Sequence, residues 1–335
     1  MVVRPRAISS TDEVPPRASL VSRQRIPDEV LALAHARLQA RAARDWPEAD
    51  RLRAEIEAAG WKIVDRGTDF ALSPAAPPTV EEAGTVRYGS SAAVPSRLEE
   101  PATGLATVVL VATDWPADLD RALAALAATS PQGVSVVVVA DGPSDEQEAT
   151  LDAIANRPSV EVVRTSERLG QAAALNAGFR RASAGVVVVL DTSVEPTGDI
   201  VTPLVAALAA PAVGVAGGWG IVSDDLRHFS DAPPGDVTAI EGYAIAFRRE
   251  DVAARGPLDE RFRFYRNLDI WWSLVLRDEG EGAAPRRAVA VELPASRHEH
   301  RGWTSLSEDE RDRLSKRNCY RIIDRFGSRT DLAGR

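Results

Sequence analysis

The first apolar positions follow a helical rhythm. Val30, Leu31, Ala34 and Leu38 fall on one face of a helix, and Pro27 suits its first turn. Ala49, Leu52 and Ile56 repeat the pattern from about Pro47, with Gly60 at the stop position. Residues 61–64 and 70–72 are short apolar runs around Gly67-Thr68, the form of a β-hairpin. A helical hairpin with a small ribbon is therefore predicted over residues 26–73. On either side of it no period exists. Residues 1–25 mix Pro, Ser, Arg and acids and predict a disordered leader. Residues 74–104 hold Pro74, Pro77, Pro78, Pro95 and Pro101 and predict a semi-extended linker.

From residue 105 the rhythm changes to short Val-rich runs alternating with helical segments. The runs are 107–111, 134–139, 160–163 and 186–190; the helices lie at about 116–128, through Ala149, Leu151 and Ile154, and at 170–182. Runs apolar at every position are strands covered on both faces, so an α/β fold with parallel strands and right-handed crossovers is predicted. Ligands in such sheets bind beyond the carboxyl ends of the strands, which here carry Thr113, Asp141 and Asp191. A last helix opens with the capping box Ser307-x-x-Glu310 and has an apolar stripe of Leu314, Ile322 and Phe326. Its arginines could lean on a membrane surface or an anionic acceptor, although packing on its own domain is the commoner use of such a helix.

Composition narrows the field. With 44% hydrophobic residues the 335-residue chain can bury a large core. Forty Lys and Arg against 49 Asp and Glu give a formal charge of -9, which excludes tracking a nucleic-acid backbone by bulk charge, so no DNA partner is expected. The lone Cys319 excludes an internal disulfide and a multi-cysteine zinc site. No apolar run is long enough to span a bilayer and no secretory signal follows Arg4 and Arg6, so a cytoplasmic protein, at most peripheral at the membrane, is expected.

Two common phosphate sites are excluded. Ala112-Thr113-Asp114-Trp115-Pro116 follows the first strand in place of a Gly-x-Gly-x-x-Gly turn, and neither Lys62 nor Lys316 sits in a P-loop. A carboxylate at Asp141 can bind a ribose or a base, or merely cap a turn. Asp191 can hold a hard divalent cation, or again serve a turn. Gly217-Gly218 permits close backbone approach and Trp219 offers a flat face for a sugar ring, or the three form a turn and a core aromatic; Glu241-Gly242-Tyr243 follows them in the chain. Trp271 and Trp272 are neighbours on a helix and should face different ways, with one in the core.

Taken together, strand–Asp141-Gly142-Pro143-Ser144, then Arg168-Leu169-Gly170-Gln171-Ala172-Ala173-Ala174-Leu175-Asn176-Ala177-Gly178, then Asp191-Thr192-Ser193 resemble the donor half of GT-A glycosyltransferases, particularly inverting family 2. Residues 256–265 resemble that family's acceptor-side segment, and the likeness spans roughly 105–300 within an expected domain of 105–303, followed by the helix of 304–335. The resemblance implies a nucleotide-diphospho-sugar transferase sheet. Its donor would be a nucleotide-sugar, held by Thr113, Asp141, Arg168, Gly170 and Asp191. Its acceptor would be a saccharide or a lipid-linked molecule, met by Trp219 and Glu241. It further implies a divalent metal, magnesium or manganese, at Asp191 with a late histidine, for which His300 is preferred. Ser193 stands where the family's second metal-binding Asp would be, and Arg266-Asn267 replaces its acidic pair, leaving Asp269 as the candidate general base. These departures keep open a non-catalytic protein that binds a nucleotide-sugar or glycan. Residues 41–72 resemble the C-terminal extension of bacterial cysteinyl-tRNA synthetases; their alternating Arg and acidic residues predict a solvated face rather than an RNA contact.

Overall fold

The structure is a computed structural model, which describes residues 26–67, 69–82, 84–112 and 114–334. The expected leader and Thr113 lie outside the described residues. The chain divides between Ala76 and Pro77 into two compact units.

In the first unit α1 (Asp28–Ala42) and α2 (Trp46–Ala58) precede the antiparallel ribbon of β1 (Trp61–Arg66) and β2 (Asp69–Pro74). Val30, Ala34, Ile56, Trp61 and Ile63 form its core. Leu31, expected on the apolar face of α1, is exposed, and Arg37 is buried there instead. Arg37 donates to Asp65 at 2.7 Å, and this partner lets a guanidinium occupy a buried position.

The second unit begins with β3 (Val80–Glu82) and β4 (Thr85–Tyr88), then β5 (Ala106–Ala112), α3 (Pro116–Thr129), β6 (Val134–Ala140), α4 (Asp145–Ile154), β7 (Val160–Thr165), α5 (Gln171–Arg181) and β8 (Val186–Leu190). There follow β9 (Val194–Pro196), α6 (Val201–Leu208), β10 (Val213–Gly217), β11 (Gly220–Val222), β12 (Ser230–Ala232), β13 (Gly235–Val237), β14 (Ala239–Ile240), β15 (Ala244–Arg248) and α7 (Arg249–Arg255). The unit ends with α8 (Leu268–Arg277), β16 (Arg287–Ala290), β17 (Ala295–Arg297), α9 (Arg301–Thr304) and α10 (Glu308–Phe326).

Ten strands form one sheet in the order β13-β16-β10-β15-β8-β5-β6-β7-β4-β3. Its centre is parallel, as the Val-rich runs predict, but β15 lies antiparallel between β8 and β10, so the sheet is mixed. Alternation sorts the runs onto two faces. Val109, Val139, Val189 and Ile245 join the core under α5 and α8, whereas Val108, Leu110, Val138 and Leu190 join the core that includes α3 and α6 residues. Most residues of the central strands β5, β6 and β8 are thus buried whichever way they point.

The expected extent of the linker is corrected. Most of the supposed linker of residues 74–104 belongs to the folded domain. β4 runs parallel to β7, Val94 is buried, and the carbonyls of Arg97 and Glu100 accept from the buried Arg249 guanidinium. Pro77, Pro78, Pro95 and Pro101 flank β3 and β4 without entering either strand, so they do not interrupt the pairing. Leu332 is fully buried, and its carbonyl accepts from Arg277 at 2.8 Å. Trp271 and Trp272 are both buried, stacked with centroids 6.2 Å apart, because the core wraps the start of α8 on two sides.

Candidate active site

The site forms where β8 ends and β15, α5, α8 and α9 begin. Asp191 leaves β8 in a tight turn: Ser193 donates to Asp191 Oδ1 from its backbone N at 2.8 Å and from its hydroxyl at 2.5 Å. Oδ2 stays free of that turn and lies 3.3 Å from His300 Nε2. Ser193 is therefore an orienting group for the carboxylate at the place where a second Asp was expected. Burial alone would push the Asp191 carboxyl up, but His300 and Ser193 outweigh it and hold it below the usual range. The imidazole responds in the opposite sense, with burial lowering His300 and Asp191 raising it further, to a net rise.

The strand does not continue through the two late histidines. β17 stops at Arg297, and His300 caps α9. His298 turns away to Glu195 at 2.6 Å, whereas His300 stacks on Tyr265 with centroids 4.3 Å apart.

Asp269 sits in the first turn of α8. Its Oδ2 accepts from Gly242 N at 2.8 Å and its Oδ1 from Ile270 N at 2.9 Å. Burial raises its carboxyl above the ordinary value in spite of both bonds. Glu241, one residue from Gly242, is raised by burial and then by the negative charge of Asp269. Arg297 lies 3.8 Å from Glu241 and over the rings of both Trp219 and Tyr243. Asp191, His300, Asp269 and Glu241 line one cavity of about 190 Å³, together with Tyr243, Tyr265 and Arg266. Sequence reasoning passed over Tyr243, Tyr265 and Arg266 as site residues, although each adjoins or belongs to a quoted segment.

Other expected site residues lie outside this lining. Asp141 spends its carboxylate on the chain: Leu169 N donates to Oδ1 at 2.7 Å and Gly170 N to Oδ2 at 2.9 Å. Burial nonetheless pushes its carboxyl up. Arg168 is exposed and pairs with Asp114 at 2.6 Å. Trp219 packs edge-on against Tyr243 with centroids 5.6 Å apart. Asn267 is not in the lining; it precedes α8 with a left-handed backbone and donates to the Ser315 carbonyl.

Backbone geometry at Gly170 locks this region. Its φ of +104° with ψ 165° belongs to a region open essentially to glycine alone, and a Cβ would lie 2.9 Å from Arg263 Cα. The close approach lets Gln171 N and Ala172 N donate to the carbonyls of Arg263 and Phe262, satisfying the first donors of α5. Asn176 adds a reciprocal pair with the Leu258 backbone. These bonds dock the 256–265 segment on α5. Gly170→Ala should destabilise the domain by about 1–3 kcal/mol and weaken ligand binding at the cavity, measured by thermal unfolding and calorimetry; an unchanged melting temperature would refute the packing argument.

Asp191 and His300 form a donor pair suited to a divalent cation. Asp191 Oδ2 and His300 Nε2 are 3.3 Å apart. Two donors bound to one such ion about 2.1–2.3 Å away stand about 3 Å apart at neighbouring positions, so the pair fits. Among the described residues no group of three or more His, Cys, Asp or Glu gathers for a metal. Such a site leaves most positions to water and phosphate oxygens, the habit of magnesium.

The mixed sheet, its flanking helices and the strand-end site define a GT-A-like α/β fold, and the domain is family-2-like. Residues 107–267 match the family model described as Glycosyl transferase family 2. Among solved structures, GalNAc-T7 with UDP, GalNAc and Mn2+ is 18% identical with a TM-score of 0.53, over 68% of this chain and 48% of that one. The mannosyltransferase PcManGT from Pyrobaculum calidifontis, with GDP-Man and Mn2+, is 19% identical over 78% of this chain and 65% of that one, with a TM-score of 0.43. Fifty residues of the chain are 50% identical to a cysteine–tRNA ligase of Opitutus terrae, covering 15% of this chain and 11% of the ligase. The chain thus spans about half the length of GalNAc-T7 and about a tenth of the ligase. No helix among the described residues is long and apolar enough to cross a membrane.

Proposed function

We propose that the second unit transfers a sugar from a nucleotide-sugar donor to an acceptor hydroxyl, with inversion. The supporting observation is the meeting of two unlike pairs around one cavity. Asp191 and His300 form one pair; Asp269 and Glu241, two carboxylates with raised affinity for a proton, form the other. A divalent cation held by Asp191 and His300, magnesium or manganese, would supply charge neutralisation for the departing diphosphate.

The chain's own residues do the rest. Asp191 is set by Ser193, and His300 by stacking on Tyr265. Asp141 pins the 168–170 loop, which together with Thr113 is assigned to the nucleotide. Glu241 is assigned to the acceptor, and Trp219, outside the lining, backs the cavity by packing on Tyr243. The acceptor oxygen forms a bond to the anomeric carbon as the carbon–oxygen bond to the diphosphate breaks. The bond's electron pair leaves with the nucleoside diphosphate, and the hydroxyl proton passes to Asp269. A carboxylate with a raised pKa is the better base near neutrality.

One observation favours a second reading, a binder without transfer: both Asp269 oxygens already accept backbone hydrogen bonds. Calorimetry with a panel of uridine and guanosine diphosphate sugars, with and without manganese, followed by mass spectrometry of products, separates the two. Manganese-dependent binding with released nucleoside diphosphate is expected. Binding without any product supports the binder, and binding of no nucleotide-sugar overturns both.

A further inference from the structure

We infer that the acceptor of this site is a small apolar alcohol or phenol, with its ring or short chain seated in the cavity and its hydroxyl at the carboxylates; this rests on the transferase proposal above. The cavity has two unlike ends. Leu175 and Phe179 on α5, Val189 on β8, Ile245 on β15, and Leu268 and Trp272 on α8 give it an apolar wall. Val189 and Ile245 are directly paired in register, so they lie side by side as a floor. Leu175 and Phe179 are one helical turn apart, as are Leu268 and Trp272, so each helix turns a stripe toward that floor. The polar groups are confined to the other end. Asp191 follows Val189 by two residues, so its carboxylate lies past the end of the floor, and Asp269 lies in the first turn of α8 between Leu268 and Trp272, so a carboxylate borders the apolar wall.

This division selects against a sugar in the apolar part. A pyranose carries a hydroxyl on most of its carbons, and each one buried against aliphatic and aromatic carbon would lose its water without gaining a partner. An apolar group loses nothing there and gains contact. The size also limits the occupant. Dry apolar cavities of roughly 150 Å³ admit benzene, so about 190 Å³ takes one ring with a short substituent. Two residues of strand span about 6.6 Å, the order of length of a ring carrying a one-carbon alcohol. Benzyl alcohol therefore has the required form: its ring on Val189, Ile245 and Trp272, and its hydroxyl within reach of the Asp269 and Glu241 end.

The test uses the full chain with the nucleotide-sugar found active in the panel. Benzyl alcohol and methyl α-glucoside serve as acceptor probes for wild type, Val189→Phe and Leu175→Phe, each variant first checked for a cooperative melt. Benzyl alcohol should be glycosylated with kcat/KM at least tenfold above methyl glucoside. Filling the cavity from either wall should raise its KM at least tenfold. Should one variant fail to fold, the other and the wild-type comparison still decide. Methyl glucoside outperforming benzyl alcohol, or an unchanged KM in the folded variants, overturns the inference. Donor hydrolysis by water with no use of benzyl alcohol sinks the acceptor assignment alone. Benzyl alcohol binding with no turnover of any donor sinks the transferase proposal and the acceptor assignment with it.

Discussion

Replacing Asp191 by asparagine should lower sugar transfer by at least about 10²–10³-fold, the usual loss when a preorganised charge-stabilising group is removed, while leaving the melting temperature nearly unchanged. Asparagine keeps an oxygen that can accept from Ser193, so the turn after β8 survives. What disappears is the charge facing His300 and the cation site. Calorimetry with manganese and uridine or guanosine diphosphate gives a readout independent of turnover, and the manganese-dependent part of nucleotide binding should vanish. Ser193→Ala should act more mildly. It removes the shortest bond that orients Asp191, and losing such an outer partner costs about 10–100-fold in metal affinity. Transfer by Asp191→Asn within threefold of wild type would remove Asp191 from the proposed chemistry.

The fold was largely legible because its period is simple. Val-rich runs bounded by turn residues predicted strands buried on both faces, and 186–190 coincides with β8 to the residue. β15 was harder to see. Its run of Ala244 to Arg248 gives no sign of direction, and only its pairing with β8 shows it to be antiparallel. The 74–104 segment was misjudged because its prolines flank two short strands rather than lie in them, so proline content hid β3 and β4. At the site, the sequence identified the carboxylates that converge but not the partners that set their state. Nothing in the spacing of residues 191 and 300 indicates a 3.3 Å contact, or that Tyr265 stacks on His300. The strand-end rule also treated Asp141 and Asp191 alike. The structure separates them by what they accept from: Asp141 holds two backbone N–H groups of the following loop, whereas Asp191 keeps one oxygen toward the cavity.

The assignment of the base leads to the most discriminating pH experiment. Asp269 must be ionised to take a proton, so the rate should fall as pH drops through its pKa. Burial places that acid limb above the ordinary carboxylate range of about 4. Asp269→Asn should cost about 10²–10⁴-fold, the span of a general base, and abolish the limb. Glu241→Gln should do something different. The Asp269 charge raises Glu241, whereas Asp269 is raised by its own burial, so neutralising Glu241 should keep the limb and move it at most slightly to lower pH. The same coupling governs stability. A carboxyl raised in the folded state favours folding below its unfolded pKa, and that contribution is lost as pH rises through the folded value. Glu241→Gln should therefore melt higher than wild type above neutrality, offset in part by the loss of Arg297's partner, and the difference should disappear on the acid side. Were Glu241 the base, the two variants would exchange behaviour: Glu241→Gln would abolish the limb, and Asp269→Asn would shift it. Loss of the limb in neither variant would place the proton acceptor outside this carboxylate pair.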